Sequence, residues 1–158
     1  MKKSLVIIFV VMAFTACVDY PIVKKEKPLF DVKGTFETIS TPLSPPPIQQ
    51  VKITGEGILT HLGKTNFEAL STLILTPPPP FLLDGTSFFI AANKDTLYTE
   101  FIGNSIPQEG GLVLVTVYHT ITGGSGRFVD AYGYLEGVSL TDRNDPQGEI
   151  TMEGKISY

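Results

Sequence analysis

The sequence predicts an all-β domain, an eight-stranded antiparallel β-barrel, with a β-sandwich as its main competitor. Three observations carry the expectation. After residue 29 no segment of useful length places apolar residues at i, i+3, i+4 and i+7, the pattern of an amphipathic helix. Period-two alternation recurs instead, in short runs separated by clusters of Gly, Pro, Asn and Asp. Eight such strands leave two open edges unless the sheet closes on itself. A barrel of about eight strands has an interior that side chains fill, or that holds one small ligand.

The runs fall at about residues 30–40, 49–60, 65–75, 86–93, 96–104, 112–121, 131–141 and 149–158. In the first, Phe36 shares parity with Gly34 and is expected to face the lumen. Pro45-Pro46-Pro47 follows it, and Pro77-Pro78-Pro79-Pro80 follows the third run. Proline cannot donate to a ladder, so both belong in loops or at strand starts. A polyproline stretch can also be a ligand for a groove in another protein, but these two sit between strands of one domain. Asp84-Gly85, Asn93-Lys94-Asp95 and Gly110-Gly111 are further turn signals. In the fifth run Phe101 shares parity with Gly103 and is placed beside Phe36 in the lumen.

The sixth run carries the most information. Threonines at 120 and 122 suit the wetter face, so Ile121 should point inward, and with it His119, Val117, Val115 and Val113. Leu112 and Leu114 then fall on the outer face, where polar residues are expected. Either copies of the chain or its N-terminal segment should cover them. The eighth run alternates most cleanly: Ile150, Met152, Ile156 and Tyr158 share one face, and Glu149, Thr151, Glu153, Lys155 and Ser157 the other.

Composition narrows the function classes. The 158 residues include 42% apolar and 18% charged side chains, with Lys plus Arg 12 against Asp plus Glu 16 and a net charge of −4. So few cations cannot assemble the basic surface that nucleic acid requires. A single cysteine rules out a disulfide framework and a cysteine-rich zinc site. No cofactor is expected.

That cysteine has a telling position. Met1-Lys2-Lys3-Ser4 is a cationic start, Leu5 to Ala16 is an apolar stretch, and Cys17 follows. The stretch is short of the roughly 20 residues of a membrane span and fits a signal-peptide core. Phe14-Thr15-Ala16-Cys17 resembles a bacterial lipobox, with Phe14 where leucine is most typical. The resemblance implies a signal peptide at 1–16, lipidation of Cys17, and a protein anchored by lipid in the bacterial cell envelope. Residues 17–29 are charged and twice interrupted by proline, and are expected to be a tether ahead of the 30–158 barrel domain.

The segment Thr122-Gly123-Gly124-Ser125-Gly126-Arg127-Phe128-Val129-Asp130-Ala131-Tyr132-Gly133 is the most distinctive. It is not a P-loop, since no Gly-Lys-Ser/Thr closes it. Val129 stands where a dinucleotide fingerprint needs its third glycine, and Arg127 where a nucleophile elbow needs its second. Gly123, Gly124, Gly126 and Phe128 are therefore expected to form a structural corner. This element resembles the signature loop of the allene oxide cyclase and dirigent barrel superfamily, in which a similar glycine-rich turn and Phe lead into a small-residue strand. Gly55-Glu56-Gly57 and Thr60-His61-Leu62-Gly63-Lys64 resemble an early strand pair of its bacterial secreted members. The resemblance implies an eight-stranded barrel and, by likeness to plant members, a homotrimer. It carries over no catalytic residue, because no position here aligns with the lumen residues those enzymes use.

His61 and His119 are the only histidines, and neither has a Cys or His neighbour at metal-ligand spacing. Each is expected in the core or at the rim, and His119 alternatively orients a ligand. Glu100 and Glu136 share parity with tyrosines and are expected on the solvated face. Two functions follow from this chemistry. One is a lipid-anchored barrel binding a small apolar ligand among Phe36, Phe101, Val115, Val117 and His119. The other is a packed barrel that oligomerises or docks an envelope protein. A cyclase or isomerase activity follows only by analogy with the superfamily.

Overall fold

The computed structural model describes residues 27–158, so the expected signal peptide, Cys17 and most of the expected tether lie outside the described residues. Eight strands follow in order: β1 (Phe30–Pro42), β2 (Ile48–Leu59), β3 (Gly63–Ile74), β4 (Phe81–Ala91), β5 (Thr96–Pro107), β6 (Leu112–Gly124), β7 (Tyr132–Asp142) and β8 (Gln147–Ser157). Each pairs antiparallel with the next, and β8 returns to β1, closing an eight-stranded barrel. The sheet thus has no free edge, as the edge argument required.

One expected turn is absent. Asp84-Gly85 lies within β4, which begins at Phe81. Gly85 faces inward beneath the Phe101 ring: a Cβ there would stand 2.6 Å from Phe101 Cζ and would overlap the Leu70 carbonyl oxygen. The glycine makes room for an aromatic ring and turns nothing. Gly57 does the same beneath Phe36, where a Cβ would stand 2.7 Å from the ring. At Lys94, Gly110 and Gly111 the backbone does take positive φ, of 72°, 74° and 84°, in the turns expected there.

The two ends of the barrel differ. At one end lie the β2–β3 turn, the β4–β5 turn, the β6–β7 loop and the start of β1. Here the core is dense: Leu59, Leu97, Phe128, Leu135, Met152 and Ile156 are all essentially inaccessible. The 3-10 turn Gly126–Phe128 drops Phe128 into this end as a plug. At the other end the loops are built on Pro45–Pro47, Pro77–Pro80, Gly110-Gly111 and Asn144–Pro146. Inward-facing Ser40, Ile53, Leu73, Val115 and Thr141 become half-exposed toward this end, which opens the lumen to solvent.

On the outer face of β6 within the single chain, Leu112 and Leu114 are half-buried while Tyr118 and Thr120 are exposed. The outer positions of β5 and β7 place Ile106 and Leu140 beside Leu114.

Candidate functional site

The glycine-rich loop closes the plugged end through three ties. Gly123, at φ 129°, follows a bulge: Thr99 pairs with Ile121 and Tyr98 with Gly123, leaving Thr122 as the extra residue. Gly124 lies so close to Phe128 that a Cβ would stand 2.7 Å from the Phe128 Cβ. Gly126, at φ 60°, turns the chain against the Asp95 carboxylate. Arg127 then reaches across the end. Its Nε lies 3.5 Å from Asp95 Oδ2, its Nη2 donates to the His61 carbonyl at 2.8 Å, and its guanidinium stacks 4.8 Å from the Phe128 ring centroid. Phe128 packs edge-on against Tyr158 at 5.2 Å. His61 belongs to this rim, with Nε2 3.2 Å from the Asp31 carbonyl oxygen.

Above the plug comes a floor of aromatic rings. Phe67 stacks with Phe89 at 5.0 Å and with Phe36 at 5.6 Å, and Phe101 with His119 at 5.0 Å. Phe36 is fully buried in this packed half and does not reach the cavity above it. Between the floor and the proline-built end is a cavity of about 110 Å³. Phe67, Phe101, Val117 and His119 form its base, and Ala69, Leu83 and Ile150 its middle. Ser40, Ser71, Ser139, Thr141 and the half-buried Val115 lie around it nearer the mouth. Phe101, Val115, Val117 and His119, read from the sequence as lumen residues, are thus brought to one cavity.

The hydroxyls escape a search for apolar stripes. Three of them have a partner in the wall: Thr38 Oγ1 donates to the Gly148 carbonyl at 3.1 Å, Ser71 Oγ to the Asp84 carbonyl at 3.3 Å, and Ser139 Oγ to the Glu149 carbonyl. Their parity with Phe36, Phe67 and Leu135 was the only signal available in the sequence.

His119 is the one titratable side chain lining the cavity among the described residues. It is 2% exposed, and Nδ1 lies 3.0 Å from Thr99 Oγ1 and 3.3 Å from Ser87 Oγ, which are themselves 2.6 Å apart. Burial lowers its pKa from 6.5 to about 4, because the imidazolium would lose its hydration and no carboxylate faces it. The ring is therefore neutral at physiological pH. Nε2 finds no hydrogen-bond partner among the described residues. Glu100 is exposed and Glu136 half-buried on the outer face, away from this chemistry.

Two wider depressions, of about 820 and 690 Å³, lie outside the barrel over β1 to β3 and β8. Exposed Glu37 and Glu56 border both, and they are open surface grooves without an apolar enclosure. No group of three or more His, Cys, Asp or Glu among the described residues is placed to hold a metal ion.

No family model matches the chain, and no curated protein matches it. A solved structure does. That of the pterocarpan synthase dirigent protein superposes with a TM-score of 0.51 at 14% sequence identity, covering 85% of this chain and 87% of that one. The fold is a dirigent-like barrel. At that identity the likeness extends to the architecture, and the dirigent-like barrel described here carries its own lumen chemistry, with a neutral imidazole and wall hydroxyls around a small cavity.

Proposed function

We propose that this dirigent-like barrel is a lipid-anchored binding module that admits a small, uncharged molecule to its lumen. The observation that carries this reading is the cavity itself, lined by Phe67, Phe101, Val117 and His119 at its base and by wall hydroxyls nearer its mouth. A purely packed barrel would gain by filling that space with carbon. The occupant is small, because the cavity of about 110 Å³ is well below the roughly 300–1,000 Å³ of pockets that take drug-sized ligands.

Ala69 supplies the test, since its side chain is buried at the cavity wall. Ala69→Leu should fill the space, leave the fold intact and abolish uptake of toluene followed by NMR. Uptake equal to wild type would place the bound molecule elsewhere and end the lumen reading.

Anchoring rests on Cys17 and on where the chain enters the barrel. Tyr132 Oη donates to the Lys27 carbonyl at 2.7 Å, which holds the entering segment at the plugged end. A tether from Cys17 would leave the mouth facing away from the membrane. The intact mass of the purified protein should include acyl chains on Cys17, and Cys17→Ser should lack them. An unmodified Cys17 thiol in the mature protein would refute the anchor.

A second reading has its own observation. The outer face of β4 to β7 carries large apolar side chains, with Leu82, Ile102, Tyr118 and Leu140 all more than half exposed. This face favours association between copies of the chain, as the superfamily resemblance implies, and it is compatible with lumen binding.

A further inference from the structure

We infer that the lumen takes a short, neutral aliphatic alcohol, hydrocarbon end first, and that serines near the mouth receive its hydroxyl group. This deepens the lumen-binding reading and rests on it. The four strands that run toward the open end, β1, β3, β5 and β7, each carry an inward serine two or three residues short of their last residue: Ser40, Ser71, Ser105 and Ser139. Ser40, Ser71 and Ser139 line the cavity, together with Thr141. The hydrocarbon lies deeper. On β3 Phe67 stands four residues below Ser71, and on β5 Phe101 stands four below Ser105. The lining is accordingly apolar over most of its area and polar over a smaller part.

These hydroxyls are not equivalent. Ser71 Oγ gives its hydrogen to the Asp84 carbonyl and Ser139 Oγ gives its own to the Glu149 carbonyl, because a carbonyl can only accept. Each oxygen is left with lone pairs, able to accept a further hydrogen bond and to donate none. Ser40 and Thr141, half-exposed at the mouth, are free to rotate and do either.

A ligand hydroxyl is donor and acceptor at once and answers both kinds. An ether or a ketone answers only the second kind and brings no hydrogen to Ser71 or Ser139. Charged head groups fit badly, since no Lys, Arg, Asp or Glu lines the cavity to neutralise them. Polarity then sets the orientation, with the hydrocarbon on Phe67, Phe101 and Val117 and the hydroxyl at the level of the serines. Volume sets the length. An apolar cavity of about 150 Å³ takes up the six carbons of benzene. One of about 110 Å³, open at one end, therefore suits a chain of roughly four or five carbons.

The experiment compares pentan-1-ol with its isomer butyl methyl ether, which has the same atoms and similar bulk but no donor. Each is titrated into wild type and the double variant Ser71→Ala, Ser139→Ala, and read by NMR on the methyl groups of Val115, Val117 and Ile150. Wild type should bind the alcohol roughly five- to tenfold more tightly, the size of one hydrogen bond, and the double variant should bind the two isomers alike. Equal affinities in wild type, or a preference that survives in the variant, would overturn the alcohol inference and leave the lumen reading standing. Uptake of toluene but of neither isomer would do the same. Uptake of none of the three would overturn the lumen reading as well.

A second measurement needs no variant. Intermolecular Overhauser contacts in wild type should join the terminal methyl of pentan-1-ol to Val117 and its hydroxymethyl protons to Ser40 and Thr141. The reverse order, with the hydroxymethyl group against Val117, would overturn the assignment of the serines.

Discussion

The imidazole of His119 stays neutral well into the acid range because everything that faces it is uncharged. Thr99 and Phe101 come from β5, Ser87 and Phe89 from β4, and Leu135 and Gly137 from the neighbouring β7. This has a definite consequence for stability. In the unfolded chain the imidazole protonates near its ordinary value of 6.5, whereas in the native barrel it resists until about 4. Between those values the unfolded state binds more protons. Stability is therefore undiminished above about pH 6.5, falls as pH drops through the window, and levels off below about pH 4. The slope is about 1.4 kcal/mol per pH unit, so acidification from pH 7 to 4.5 should remove about 2–3 kcal/mol. Urea unfolding at the two pH values, in wild type and His119→Phe, isolates this component, because the variant should lack it. Equal acid losses in the two proteins would mean that the imidazole is hydrated. The position of His119 inside the barrel follows from strict alternation along β6, counted back from Ile121. Its partners do not, because Ser87 and Thr99 come from other strands whose register no single run of residues reveals.

Among the elements, the β6–β7 loop shows two glycines doing different work. Gly124 leaves no room, since a Cβ would press on Phe128 Cβ at 2.7 Å and overlap the Thr96 carbonyl oxygen. Gly126 is exposed, and its constraint is the left-handed backbone together with contact against the movable Asp95 side chain. Gly124→Val should cost about 1–3 kcal/mol by overpacking and loosen the plug. Gly126→Ala should cost about 1–2 kcal/mol, chiefly from its positive φ. Thermal unfolding distinguishes them, and an unchanged melting temperature in both would show that the loop is not a plug. The motif was legible because three glycines in four positions have few structural uses. Gly85 was not, because an inward glycine under an aromatic ring and a turn glycine are spelled alike. Asp84 before it completes a turn signal, and only the cross-strand neighbours, Leu70 and Phe101, reveal that β4 runs straight through. The β6 strand was legible for the opposite reason: its valines, His119 and Ile121 alternate without interruption up to the bulge.

At the scale of the whole molecule the exterior divides into two faces. Over β8, β1, β2 and β3 it carries exposed ion pairs, Lys33 with Glu153 at 3.3 Å, Lys155 with Asp31 at 3.4 Å and Lys64 with Glu56 at 3.6 Å. Such pairs contribute little stability but keep that side wet. Over β4 to β7 the rows read Ile106, Leu114, Leu140, then Leu82, Asn104, Thr116, Val138, then Asp84, Ile102, Tyr118, Glu136, with no Lys or Arg among them. Apolar side chains predominate in the first two rows, and exposed apolar clusters of this kind often mark an interface. Ile102 stands in the third of these rows, 68% exposed and pointing away from the barrel. A glutamate there should leave the fold untouched, since the side chain packs against no core residue. In a self-associated protein, however, the same change would bury an unpaired charge. Sedimentation of the delipidated domain at micromolar concentration should therefore show an assembly for wild type and a monomer for Ile102→Glu, with closely similar melting temperatures once both are dilute. A wild-type monomer would end the self-association reading and leave the apolar face to a different partner.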